Sequence, residues 1–253
     1  MHTFNHKNES SVSKVCSQRL SCLASLAGGV IHELHNGLGA ASSNAKALQL
    51  TSSPENADHM TFMQGAIDRM QHMTQMLTLY TRDAVVDLQR VAVRPVLKEV
   101  IANLQATPEF QDVEFIWEPT PNRQHTGHTN ADLLKKSFEA LLRNACESLG
   151  TKKRTIKISL GEGSQEECQN GKALLGCPDP RTDYLRCRVE DTGCGIPAGN
   201  LPRIFDPFFT TKMRARGLGL AYVVGLVQQT NCVLTCQTKE QKGTVFTLCI
   251  PVA

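Results

Sequence analysis

No apolar run in this sequence approaches the roughly 18–20 residues that a bilayer-spanning helix needs. The opening residues, 1–14, are polar and lack the apolar stretch of a secretion signal. The expectation from both absences is a soluble chain of the cytoplasm. An excess of one charge is missing too. Lysine and arginine total 27 against 24 acidic residues, a formal net charge of +3. That balance, with 41% hydrophobic and 20% charged residues, argues for an ordinary folded protein. It argues against a disordered tail or a protein that coats nucleic acid. Ten cysteines are present, yet none forms a CxxC pair. Cys232 and Cys236, even with His125 and His128, lack the tight paired spacing of structural zinc sites. Several cysteines lie in apolar runs such as VFTLCIPV, where a thiol behaves as a small hydrophobe. The thiols are read as reduced.

What is present falls into two textures. At 253 residues the chain has room for one large domain or two modest ones. Over residues 16–50, Leu20, Leu23, Ala27, Ile31, Leu34, Leu38, Ala41 and Leu48 recur at helical steps. A turn, TSSPEN, precedes a second helix to about Thr81, striped by Met60, Met63, Ile67, Met70, Thr74 and Leu77. Two such helices make an antiparallel hairpin with one apolar face each. Pairing two hairpins into a four-helix bundle covers both faces, which implies a homodimer. From about residue 91 strands and helices alternate in mixed order. Residues 91–93 and 113–119 read as strands, Arg94–Thr107 as a helix, and Ala131–Leu149 as a helix capped by Asn130 or Thr129. TIKISL (155–160) and YLRCRVED (184–191) read as antiparallel neighbours, with 161–183 a polar surface excursion. A helix Leu218–Thr230 and two strands complete the pattern. The fold class expected is α+β: a helical hairpin followed by a two-layer α/β sandwich. The boundaries are a polar segment 1–15, a hairpin 16–83, a linker 84–90 and a second domain 91–253.

Three features of the second domain carry chemistry. Asp191 opens DTGCGIP directly after a strand, so a carboxylate stands beside two glycines, Gly193 and Gly195, that let backbone approach a planar ligand. Such an Asp accepts a hydrogen bond from an exocyclic amine like that of adenine. Arg216-Gly217-Leu218-Gly219 leads into a helix, whose N-terminal N–H groups and dipole suit phosphate. Asn144 sits mid-helix in LLRNACESL, where Asn is a poor helix former. Its amide oxygen suits Mg²⁺, which prefers oxygen ligands.

The ordered set, an Asn helix, DxGxG, RIFDPFFTTK, GLGL and GTVFTL, resembles the ATP-binding domain of sensor histidine kinases, of the wider family with gyrase, MutL and Hsp90. The resemblance covers roughly residues 90–253. It implies ATP and Mg²⁺ as ligands, Asn144 for the metal and Asp191 for adenine. It implies that Gly193 and Gly195 line the base pocket and that Phe205, Phe208 and Phe209 form a phenylalanine-rich box. Lys212, Gly217 and Gly219 bound a lid over the phosphates, and Thr244 follows the last glycine motif. Arg214 and Arg216 are further cations for the phosphates. Two positions depart from the family pattern: Ala215 replaces the first lid glycine, and Ala140 replaces a polar residue four positions before Asn144.

The first helix carries His32-Glu33-Leu-His-Asn36-Gly37-Leu38, similar to the phosphoacceptor box of the same kinases, with Gly37 where proline is common. At about 100° per residue His32 lies roughly 100–120° from the apolar stripe, with Asn36 one turn on. An exposed imidazole is a nucleophile through one nitrogen while Glu33 accepts the proton from the other. His35 lies nearer the core and is read as packing. The function expected is a histidine kinase that phosphorylates His32 from ATP and passes the phosphoryl group to an aspartate of a response regulator receiver domain. Dephosphorylation of that regulator through Asn36 is a second expected activity. The alternatives are a degenerate kinase acting as a phosphotransfer adaptor, and an ATP-driven clamp like gyrase or MutL. The short segment ahead of His32 has no room for a sensory domain, so input is expected from a partner protein or from a sensor that has been removed. Neither nucleic acid nor membrane is an expected partner.

Overall fold

The computed structural model describes residues 34, 36–46, 48, 57–79, 86–120, 125–150, 154–163, 173–206, 208–212 and 217–252. The chain divides into two compact units, with Leu20–Ala84 forming one and the described residues from 86 onward belonging to the other. In the smaller unit, residues 36–46 are helical and helix α1 spans Ala57–Thr78. Ser42, Ala45, Ile67 and Thr74 are buried. Gln64 Nε2 donates to Ser42 Oγ at 2.9 Å, and Gln71 Nε2 donates to the Leu38 carbonyl at 3.4 Å. The stripe of α1 is only partly covered, because Met63 is 49% and Met70 41% exposed.

The larger unit is built on a mixed sheet. Its strands are β1 (Gln89–Ala92), β2 (Glu114–Trp117), β3 (Thr126–Thr129), β4 (Thr155–Gly163), β5 (Ala173–Leu175), β6 (Tyr184–Asp191), β7 (Val233–Lys239) and β8 (Gly243–Pro251). Six of them form one sheet in the order β2-β4-β6-β8-β7-β5, in which only β2 and β4 are parallel. β1 and β3 form a separate antiparallel pair. Helices α2 (Val93–Gln105), α3 (Ala131–Ser148) and α4 (Ala221–Thr230) supply the second layer. Each buries an apolar stripe at helical spacing: Leu97, Val100, Ile101 and Leu104 from α2, and Leu134, Phe138, Leu141 and Leu142 from α3. Asn130 caps α3 by accepting from the Leu133 N–H at 3.0 Å, which satisfies one of the free donors of the first turn. Among the described residues no helix is long and apolar enough to cross a membrane.

β4 and β6 pair as the alternation predicts, with Ile156 opposite Asp191. Three features differ from the sequence reading. β3 is an extra strand, TGHT, that lacks an apolar pattern; it forms because it pairs with β1 and lies close over β8. A Cβ on Gly127 would come within 2.4 Å of Ile250 Cγ2, so the approach needs a glycine. The last helix begins at Ala221, three residues later than its apolar pattern suggests. Finally, the 161–183 stretch is not wholly a surface excursion. β4 runs on to Gly163, and β5 adds an edge strand beyond β7 with Leu174 and Leu175 buried. Tyr184, Val233 and Cys249 form a small buried cluster nearby, and the Tyr184 hydroxyl accepts from the Asp179 N–H at 3.1 Å. Six described cysteines are free thiols. Cys249, however, is disulfide-bonded, which corrects the reading of reduced thiols throughout.

Candidate nucleotide-binding site

The centre of the site is Asp191, the last residue of β6 and only 5% exposed. Burial raises its carboxyl above the ordinary carboxylate value, and three donors offset part of that rise. The Gly193 N–H donates to Oδ1 at 2.8 Å, the Ser148 hydroxyl at 3.1 Å and the Thr244 N–H at 3.3 Å. All three converge on Oδ1. Among the described residues none donates to Oδ2, which keeps an acceptor for a ligand. The glycine beside it is needed for contact rather than for flexibility. A Cβ on Gly193 would lie 2.1 Å from Ser148 Oγ and 2.6 Å from the Ser148 carbonyl oxygen. The turn is pinned from both sides, because the Cys194 N–H donates to the Ser148 carbonyl and the Gln241 N–H to the Cys194 carbonyl.

Thr244 belongs to this cluster as a support. It is buried, its N–H holds Asp191, and its hydroxyl shares a 3.0 Å hydrogen bond with Thr238 Oγ1. Thr238 Oγ1 also accepts from the Ile196 N–H at 2.8 Å, tying the DTGCGIP turn to the β7–β8 hairpin. Cys236 on β7 is another neighbour of Asp191, and burial pushes its thiol well up.

One turn before Ser148 on α3 stands Asn144. Its Oδ1 accepts from Lys212 Nζ at 3.0 Å, and the same ammonium pairs with the Glu147 carboxylate. Oxygen donors thus already hold a cation at Asn144, which is the donor chemistry Mg²⁺ requires. Gly219, at the foot of α4, lies 3.7 Å (from its ideal Cβ position) from the Ala140 Cβ. Ala140, one of the two departures noted in the sequence, therefore faces Gly219. The backbone around Gly217 is tightly packed. Phe208 has φ +66, a rare conformation for an aromatic residue, and its N–H donates to the Gly217 carbonyl at 3.0 Å. Gly217 itself has φ +67, and a Cβ there would lie 2.5 Å from the Phe209 carbonyl oxygen. Phe205 is buried, Phe208 is 53% exposed, and Phe209 lies under the Arg203 guanidinium. Leu218 is buried.

The structure therefore brings Asp191, Gly193 and Thr244 together, joins Asn144 to Lys212, and sets Gly195 (φ +70) against the Lys239 carbonyl at the end of β7. Asn36 is exposed on the helical segment 36–46 of the other unit. His32, Glu33, Arg214 and Arg216 lie outside the described residues. Sequence reasoning passed over Ser148 and Glu147, although both stand three or four residues after Asn144, the spacing that shares a helix face.

Residues 129–253 match the family model described as histidine kinase-, DNA gyrase B-, and HSP90-like ATPase. The signal transduction histidine-protein kinase AtoS of Escherichia coli K12 is 27% identical over 237 residues, covering 93% of this chain and 36% of AtoS. The sensor kinase CckA of Brucella abortus is 28% identical over 253 residues, covering 93% of this chain and 25% of CckA. The chain thus spans only about a third or less of the length of these two relatives. Full-length ShkA, solved in complex with AMPPNP, superposes with a TM-score of 0.62 at 18% identity, covering 91% of this chain and 46% of that one. The fold, the model match over residues 129–253 and the relatives agree: this chain carries a histidine kinase ATPase core.

Proposed function

We propose that the chain is an ATP-dependent protein-histidine kinase of a two-component system. The observation that carries the reading is the Asp191 cluster, in which one carboxylate oxygen is saturated by protein donors and the other is left to accept. An adenine amine supplies the matching donor. Asn144 Oδ1 would hold Mg²⁺, which when bound neutralises phosphate charge. Lys212, with Arg214 and Arg216, supplies cations for the phosphates, and the N-terminus of α4 behind Gly217 and Gly219 supplies N–H groups.

His32 is the proposed acceptor. Its unprotonated ring nitrogen attacks the γ-phosphorus, the bond to the bridging oxygen breaks, and ADP leaves. Glu33 accepts the proton from the other ring nitrogen. An aspartate of a receiver domain then takes the phosphoryl group from the imidazole, leaving His32 free. Catalysis of both steps is chiefly positioning and electrostatics. A response regulator as partner fits the family, and Asn36 on the exposed helical face is the residue proposed to orient water for its dephosphorylation. The hydrogen bonds Gln64–Ser42 and Gln71–Leu38 support a helical hairpin, and the exposed Met63 and Met70 support its pairing with a second copy. Residues 16–83 are proposed as that hairpin and 91–253 as the catalytic domain. A cytoplasmic location fits a reaction that consumes ATP.

The test is incubation with ATP labelled at the γ-phosphate, followed by acid and alkali treatment of the protein. The expected product is an acid-labile, alkali-stable phosphate that disappears in His32→Gln while nucleotide binding persists. Label retained by that variant would move the acceptor elsewhere. Hydrolysis of ATP with no phosphoprotein would favour the clamp reading.

A further inference from the structure

Glu147 has no part in the reading above, yet it makes a close contact to the lid. It follows Asn144 by three residues on α3, so both side chains share one face. Lys212, at the far side of the phenylalanine-rich segment, places its ammonium between the two. It donates to Asn144 Oδ1 at 3.0 Å and pairs with the Glu147 carboxylate. The Lys212 backbone is fixed as well, its N–H donating to Thr210 Oγ1 at 3.1 Å. A bare carboxylate one turn from Asn144 would repel an arriving polyphosphate. The ammonium neutralises it, and occupies the same amide oxygen that a divalent cation would need.

Resting on the nucleotide-site reading, we propose that Glu147 is a positioning residue that acts through Lys212: it holds the lysine on Asn144 while the phosphate site is empty, as a latch that binding must release. A second cation does not share Asn144 Oδ1 with the ammonium, because a magnesium ion about 2.1 Å from that oxygen would lie only about 4 Å from the ammonium, where like charges repel strongly in a half-covered site. Lys212 must therefore leave the Asn144–Glu147 pair as magnesium nucleotide arrives, and the phosphates are the anions within its reach. The ion pair is part-exposed, with side-chain exposures of 37% and 31%, so it is a weak latch that a nucleotide can open.

The test is a double-mutant cycle on magnesium-dependent ADP affinity, read by calorimetry on the full chain. Glu147→Gln frees Lys212 in advance, and affinity should rise about two- to fivefold, the range of a part-exposed ion pair. A purely structural role would lower affinity or leave it unchanged. In a Lys212→Gln background no latch remains and only the relief of charge repulsion is left, so the gain from Glu147→Gln should be smaller there than in wild type. An equal gain in both backgrounds means simple charge repulsion, and overturns the proposal. No gain in either overturns it too. Hydrogen exchange over residues 208–212 of the nucleotide-free protein gives an independent reading: Glu147→Gln should exchange faster there, and unchanged exchange counts against the latch. A wild-type chain that binds no nucleotide, while exchange still responds to Glu147→Gln, would leave the contact real and overturn the nucleotide reading instead.

Discussion

Replacing Asp191 by Asn tests the base pocket with a change of one atom. The three donors from Gly193, Ser148 and Thr244 all meet Oδ1, so an Asn side chain keeps its oxygen there and presents its NH₂ where Oδ2 stood. In the proposed binding mode that NH₂ would face the exocyclic amine of adenine, donor against donor. Losing a charge-assisted hydrogen bond costs about 1.5–3 kcal/mol, so ADP affinity should fall about tenfold to a hundredfold. Guanine carries a carbonyl oxygen at the same position, and the new NH₂ can donate to it. The ratio of ADP to GDP affinity should therefore collapse even further than ADP affinity itself. The variant should fold, because burial already raises the Asp191 carboxyl. A carboxyl raised in the folded state contributes stability below its unfolded value, near 3.8, and loses that contribution as pH climbs through the folded value. Asn has no charge to desolvate, so its melting temperature should match or exceed wild type at pH 7, with the advantage shrinking toward pH 4. Calorimetric titration with both nucleotides and thermal unfolding across that range read all of this. Unchanged ADP affinity, or a loss of affinity that merely tracks a loss of folding, would refute the reasoning.

Gly193→Ala should destabilise the larger unit by about 1–3 kcal/mol, since the new methyl must sit within 2.6 Å of the Ser148 carbonyl oxygen; an unchanged melting temperature would show that the turn relaxes freely. Met63→Lys should convert a dimer to monomers by placing a charge in the proposed seam, and sedimentation finding wild type already monomeric at micromolar concentration would contradict the pairing. Asn36→Ala should retain autophosphorylation yet slow decay of the phosphorylated regulator; the idea fails where decay is the same with wild type, variant and no kinase.

Much of the pocket is legible in the chain because its parts are local. A carboxylate at a strand end, a glycine two residues on, and an Asn in the middle of an apolar helix each show within a few residues. The β4–β6 pairing is legible for the same reason, since alternation over eight residues assigns each side chain a face. The helical spacing that would have drawn in Ser148 and Glu147 is equally local, but neither residue type is unusual near a helix end, so neither stands out without its partner. Other elements carry no local signal. β3 has no apolar alternation and exists because β1 pairs with it and Gly127 fits against Ile250. β5 sits within a polar stretch and becomes a strand only because the edge of β7 offers it hydrogen bonds and its two leucines find cover.

The sequence by itself determined which residues bring chemistry: the carboxylate, the amide, the lysine and the glycines that leave space around them. Only the tertiary structure decided what each is pointed at. Ser148 and Thr244 lie 43 and 53 residues from Asp191 along the chain, and Lys212 lies 65 from Glu147, separations over which no periodicity survives. Such contacts are chosen by how sheet register and helix packing bury the apolar core, and the polar partners are carried along. That is why the acceptor left on Asp191, and the lysine lodged between Asn144 and Glu147, had to be seen in three dimensions.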